Sequence, residues 1–147
     1  MASSGYNSGA TIYVTNNTGG NANIHLSHQY SDDTPQQGSW SRVPNGGNAG
    51  PLSVGYNTGF LRTGQDYWWI GIEVLDGPNG GSCYSSKGSA DNPGKQCTLT
   101  SDDNGKTLHF SVDTETFVMT EMSGSCSTGM SAVSCALANS KDAEEIS

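Results

Sequence analysis

A chain of 147 residues with 20 glycines, 33% apolar and 14% charged side chains is long enough for one domain with a buried core, but too polar for a helical bundle. Six basic against fourteen acidic residues leave a formal charge of −8, which argues against nucleic acid and anionic lipid as partners and leaves neutral or zwitterionic ligands open. No stretch approaches the ~20 apolar residues of a membrane helix. Residues 1–9 have neither the basic nor the apolar region of a signal peptide, so the sequence predicts a cytoplasmic chain, or one released by another route, without a transmembrane segment.

Residues 1–9 read as a flexible N-terminus, 10–122 as a β domain, and 123–147 as a cysteine-containing segment with an acidic tail. Residues 10–15 alternate with Ile12 and Val14 inward, then stop at Asn16-Asn17-Thr18-Gly19-Gly20, where Asn16 also matches a glycosylation acceptor. In 22–30, Ala22, Ile24, Leu26, His28 and Tyr30 share one strand face. Pro35 ends that run, a short element carries Trp40, and 44–51 reads as a glycine and asparagine loop. Residues 52–56 alternate again before a turn at 57–60.

The centre of the pattern is Asp66-Tyr67-Trp68-Trp69-Ile70-Gly71-Ile72-Glu73-Val74-Leu75-Asp76, the longest apolar run. Period two puts Trp68, Ile70, Ile72 and Val74 on a core face and Tyr67, Trp69, Gly71 and Glu73 on the other. Further short strands are predicted around Cys83-Tyr84, 96–100, 107–113 and 115–122. Turns at Asp91-Asn92-Pro93-Gly94 and Asp102-Asp103-Asn104-Gly105 separate them, and one or two helical turns are predicted at 132–138. Eight or nine short strands with almost no helix predict an all-β fold, an antiparallel β-sandwich.

The chemistry-bearing residues are sparse. The aspartates at 32–33, 76 and 102–103 lack an EF-hand pattern and read as turn residues, so no metal is assigned. His25 and His28 fall on opposite strand faces, which rules out a shared ligand site; His28 reads as a hydrogen-bonded core residue, and His25 and His109 as surface ones. Neither G-x-S-x-G nor H-E-x-x-H occurs, and the glycine-rich stretches lack the lysine and helix of a phosphate loop, so no catalytic residue and no cofactor are assigned. Cys83, Cys97, Cys126 and Cys135 allow three disulfide pairings. The short-range choice is Cys83 with Cys97 and Cys126 with Cys135, and free thiols are the alternative in a reducing compartment. The aromatic set Trp40, Tyr56, Phe60, Tyr67 and Trp69 provides the candidate ligand-binding residues.

Asn16-Asn17-Thr18-Gly19, Leu26-Ser27-His28-Gln29-Tyr30-Ser31-Asp32-Asp33, Gln37-Gly38-Ser39-Trp40, Val54-Gly55-Tyr56-Asn57-Thr58-Gly59-Phe60 and Thr63-Gly64-Gln65-Asp66-Tyr67-Trp68 together resemble the PUD-type family. Its members are nematode proteins up-regulated in long-lived insulin-signalling mutants, with fungal relatives. The resemblance covers about Thr11 to Gly77 and has no counterpart for the cysteine-bearing tail. It implies a β-sandwich akin to the aegerolysins, which bind sphingolipid-containing membranes, and it is compatible with homo- or hetero-dimers. The family carries no established activity and offers no catalytic residues.

The expectation is a non-enzymatic recognition module that binds a membrane lipid headgroup or a glycan through an aromatic-lined surface. The alternative is a self-assembling structural protein with the aromatic face as its oligomer interface. An enzyme using Asp66, His28 or Glu73 in a cleft is the third reading.

Overall fold

The computed structural model describes residues 6–59, 64–86, 94–120 and 126–135. Its strands are β1 (Ser8–Asn16), β2 (Ala22–Tyr30), β3 (Gln36–Val43), β4 (Asn48–Tyr56), β5 (Asp66–Val74), β6 (Cys83–Ser86), β7 (Lys95–Gln96), β8 (Thr107–Val112), β9 (Thr116–Met119) and β10 (Cys126–Val133). They form one ten-stranded sheet in the order β3-β2-β5-β6-β10-β9-β8-β1-β4, with β7 added against β5. The all-β expectation holds. The sheet is mixed, because β8 lies parallel to β1 while the other pairs are antiparallel.

β10 joins the two halves of the sheet, pairing with β9 along one stretch and with β6 along the next. The two ends of the order also approach each other: the Gly55 amide of β4 donates to Gln36 Oε1 of β3 at 2.9 Å. The sheet thus curls almost into a barrel around its inward side chains. Alternation selects them. Ile12 and Val14, Ile24 and Leu26, Trp68, Ile70 and Ile72, Leu108 and Phe110, and Phe117 and Met119 are all buried. Trp68 meets Phe110 edge-on at 5.1 Å, and Phe110 meets Phe117 at 6.0 Å. Each such side chain contributes about 1.5–3 kcal/mol of burial free energy.

Several local expectations are corrected. The predicted loop at 44–51 is half strand: β4 starts at Asn48 and runs through Pro51, which an outermost strand tolerates because fewer of its N–H groups are needed. The predicted helical turns at 132–138 do not begin at 132, because β10 runs to Val133 between β6 and β9; Cys135 is helical, and 136–138 lie outside the described residues. The turn at 102–105 is a short 3₁₀ turn (Ser101–Asp103) instead of a hairpin. There the Asp102 amide donates to Thr100 Oγ1 and the Thr100 amide to Asp103 Oδ2, closing a capping box. Residues 91–93 of the other predicted turn lie outside the described residues.

The disulfide pairing is also corrected: Cys83 bonds to Cys135 and Cys97 to Cys126. β6 pairs with β5 at Gly71–Glu73, whereas Cys97 is held at the other end of β5, its amide donating to the Asp66 carbonyl. Cys83 and Cys97 are therefore separated by roughly 20 Å of strand, well beyond disulfide reach.

Candidate functional site

Among the described residues, one buried histidine–carboxylate pair forms inside the fold. β2 and β5 pair with His28 opposite Trp68 and Tyr30 opposite Asp66, so His28 and Asp66 are diagonal neighbours on the inward face. His28 Nε2 lies 2.6 Å from Asp66 Oδ1, and both side chains are 0% exposed. The network continues on both sides. Asp66 Oδ2 accepts the Leu99 amide at 2.9 Å, and His28 Nδ1 lies 2.9 Å from Gln36 Oε1. Gln36 Oε1 also receives the Gly55 amide, which can only donate, so this atom is an acceptor and His28 Nδ1 must carry a proton toward it. A second proton then lies between Nε2 and Oδ1. Both ring nitrogens are thus engaged, and with both side chains 0% exposed no substrate reaches the pair, which a general base requires.

The outer face of β3, β2, β5 and β7 is different in chemistry. Tyr67 pairs across with Gln29 and Gln96, Trp69 with Ser27, and Gly71 with His25; on β3, Gln37 and Ser39 continue those rows. The His25 ring is fixed between Ser39 Oγ (2.6 Å) and Gln37 Oε1 (2.8 Å) and stands edge-on to Trp69 at 6.0 Å. Gln96 donates to Gln65, which also accepts the Thr98 hydroxyl at 3.2 Å. Tyr67, Gln29 and His25 are half-buried, Gln37, Ser39 and Gln96 are exposed, and Trp69 and Ser27 are covered. Among the described residues these rows present amides, hydroxyls, an imidazole and a phenol, and no charged side chain until Glu73.

At that far end Glu73, Cys83 and Cys135 converge: one carboxylate oxygen and the two sulfurs all lie within 4.8 Å of one another. On the opposite side of the fold, Gly9, Thr11, Ser53, Gly105 and Lys106 line a shallow depression of about 240 Å³.

Among the described residues, the sequence-predicted ligand residues do not come together. Tyr56 is 0% exposed, and its hydroxyl donates to the Thr100 carbonyl at 2.9 Å; burial raises its pKa, and the charges of Asp103 and Asp66 add to that. Trp69 is also 0% exposed. Both are therefore corrected from ligand-contacting to packing residues. Trp40 lies on β3, half-buried against the core, with its indole laid over Gly38, where a Cβ would collide with the ring. Tyr67 is the member that reaches solvent beside the polar rows, and Phe60 lies outside the described residues. The glycosylation match is closed as well. Asn16 is 0% exposed and its amide donates to the Gly20 and Val43 carbonyls at 2.9 and 2.8 Å. The polar set on the face of Tyr67, with Gln29 and Gln96 beside it and Gln37 and Ser39 in the next rows, escaped sequence reasoning, because cross-strand neighbours depend on register. The alternation of β2 was the one signal pointing to them.

Asp33 and Asp76 serve as turn acceptors. Asp33 takes the Tyr6 hydroxyl at 2.8 Å. Asp76 takes the Asn21 amide and side chain, each at 2.8 Å, and these bonds hold its carboxyl below the usual range.

A single curled mixed sheet with a sealed polar pair inside and an uncharged polar-aromatic face outside defines an all-β protein. The chain belongs to the PUD-type family: the family described as "Up-Regulated in long-lived daf-2" matches residues 6–92, more than half of the 147-residue chain. That match runs past the resemblance ending near Gly77 and takes in β6. No curated protein matches the sequence. Among the described residues no helix is long and apolar enough to cross a membrane.

Proposed function

We propose that the chain is a non-enzymatic recognition module for a glycan or a sugar-bearing or zwitterionic lipid headgroup, bound on the outer face of β2, β3, β5 and β7. The observation that carries this reading is the set of uncharged donors and acceptors that share the face of Tyr67: Gln29 and Gln96 beside it, and Gln37 and Ser39 in the next rows along β3. Hydroxyl-rich ligands are held by planar amides and hydroxyls with an aromatic ring as a platform. The formal charge of −8 points the same way, since it disfavours anionic surfaces and leaves neutral headgroups unopposed. The aegerolysin likeness that the family suggests is a fold analogy and lends support only as such. A catalytic reading has less behind it, because the His28–Asp66 pair is sealed and fully hydrogen-bonded.

The test is tryptophan fluorescence of the protein against neutral glycans and phosphatidylcholine or sphingomyelin vesicles. A spectral change with one of these, lost in Tyr67→Ala and in Gln29→Ala while both variants retain the wild-type strand signal, is the expected result. No response across the panel, with light scattering that rises with protein concentration, would instead make this face an oligomer interface.

A further inference from the structure

We infer that Cys83, Cys135 and Glu73 form a binding site for a thiophilic divalent cation of the zinc type whenever the Cys83–Cys135 disulfide is reduced. Glu73 of β5 and Cys83 of β6 are cross-strand partners, so their side chains leave the sheet on the same side. β10 sets Val133 opposite Cys83, and Cys135, two residues further on, lies with its Cα 5.1 Å from that of Cys83. Three ligand atoms within 4.8 Å of one another come from three separate stretches of the sheet. A tetrahedral zinc ion has Zn–S bonds of about 2.3 Å and Zn–O bonds of about 2.0–2.2 Å, which places its ligand atoms roughly 3.5–3.8 Å apart. Once the sulfurs are no longer bonded, small side-chain rotations reach that spacing.

The carboxylate is already held in place. Asn23 donates to Glu73 Oε1 at 3.2 Å, and Asn23 Oδ1 is itself fixed by the Arg42 amide at 2.9 Å. Arg42 has φ 52° where the β2–β3 register shifts, and at this bulge its N–H meets Asn23 Oδ1. A ligand carboxylate oriented by an amide, in turn oriented by the backbone, is the outer-shell arrangement that metal sites use. Two thiolates select zinc over magnesium or calcium, and the carboxylate supplies a third ligand with a position left for water.

Disulfide and ion are thus alternative occupants of one place. Reduction takes two electrons from the reductant: a pair of thiols also supplies the two protons and leaves as its own disulfide, whereas a phosphine leaves as its oxide, with water supplying both the oxygen and the two protons. The cation then displaces the two thiol protons to solvent as two metal–sulfur bonds form. The inference does not depend on the recognition face proposed above.

The experiment is anaerobic titration of the phosphine-reduced protein with Co²⁺, read by thiolate-to-cobalt absorption, followed by Zn²⁺ competition against a chromophoric chelator. One ion per chain is expected, bound at least ~10-fold more weakly in Glu73→Gln, absent in C83S/C135S, retained in C97S/C126S, and absent from the oxidised protein. Strand circular dichroism of reduced Glu73→Gln matching that of the reduced wild type separates its effect from folding. The inference is overturned if the reduced protein shows no cobalt–thiolate band, if Glu73→Gln binds as tightly as wild type, or if binding follows Cys97 and Cys126. A reduced chain that loses its strand circular dichroism and does not regain it with Zn²⁺ overturns it equally.

Discussion

Trp68 and Trp69 are adjacent and fully buried, yet only one of their indole N–H groups has a partner. Trp68 Nε1 donates to the Cys97 carbonyl at 2.9 Å, whereas Trp69 Nε1, on the other side of β5, has none among the described residues. A buried donor without an acceptor costs about 1–3 kcal/mol. Trp69→Phe removes that cost along with part of the ring, and Trp68→Phe strands the Cys97 carbonyl. Urea unfolding should show Trp68→Phe less stable than Trp69→Phe by about 1–2 kcal/mol. Equal midpoints would contradict the hydrogen-bond assignment.

His28→Leu leaves the Asp66 carboxyl buried opposite an apolar group and should destabilise by about 3–5 kcal/mol. The double variant His28→Leu/Asp66→Leu should lose clearly less than the sum of the two single losses, since the members share one network. A double-mutant cycle in guanidinium reads this directly, and strict additivity would show that the pair is not coupled.

Acid behaviour should depend on Asp76. The Asn21 bonds lower its pKa in the folded state, so its stabilisation is complete above the ordinary value of 3.8 and fades as pH falls through the lower folded value. Wild type should therefore be more stable than Asp76→Asn at neutral pH, and the gap should close below pH 3.8. Thermal melts across that range measure it. A gap that widens in acid would reverse the assignment.

At the alkaline end, burial and the bond to Asp33 push the Tyr6 hydroxyl up to about 12. A raised phenol stabilises the fold below the ordinary 10.0, and the benefit is lost as pH climbs toward the folded value. Ultraviolet titration at the phenolate band should show a late-ionising tyrosine near pH 12 that disappears in Tyr6→Phe. An unchanged titration curve would remove Tyr6 from that role.

Alternation made the inward faces of β2 and β5 legible in the sequence, because Ile24, Leu26, Ile70 and Ile72 repeat at the spacing a pleated strand imposes. β10 was not legible. Cys-Ser-Thr-Gly-Met-Ser-Ala-Val has little apolar contrast, and its conformation is set by β6 and β9 on either side. The disulfide partners were hidden for the same reason: separations of 52 and 29 residues reflect sheet order, which local spacing does not encode. His28 was legible as a core residue and Asp66 as the start of a strand, but their contact requires the β2–β5 register. Trp69 was misplaced because period two tells which face a residue occupies, not whether that face is covered.

The position of β10 has a consequence for how the chain is made. Only β1 to β6 fall within residues 6–92, and in the finished sheet β1 and β6 are joined through β8, β9 and β10. As the chain leaves the ribosome, the β1–β4 and β2–β3–β5 pairings can form early, but they are two separate ribbons with open edges. β8 must come back beside β1, and β10 then joins β9 to β6 as the last piece. Such late, long-range pairing makes for slow closure and an aggregation-exposed interval. A nascent chain stalled before residue 126 should therefore depend on a holding chaperone far more than one released just after Cys135.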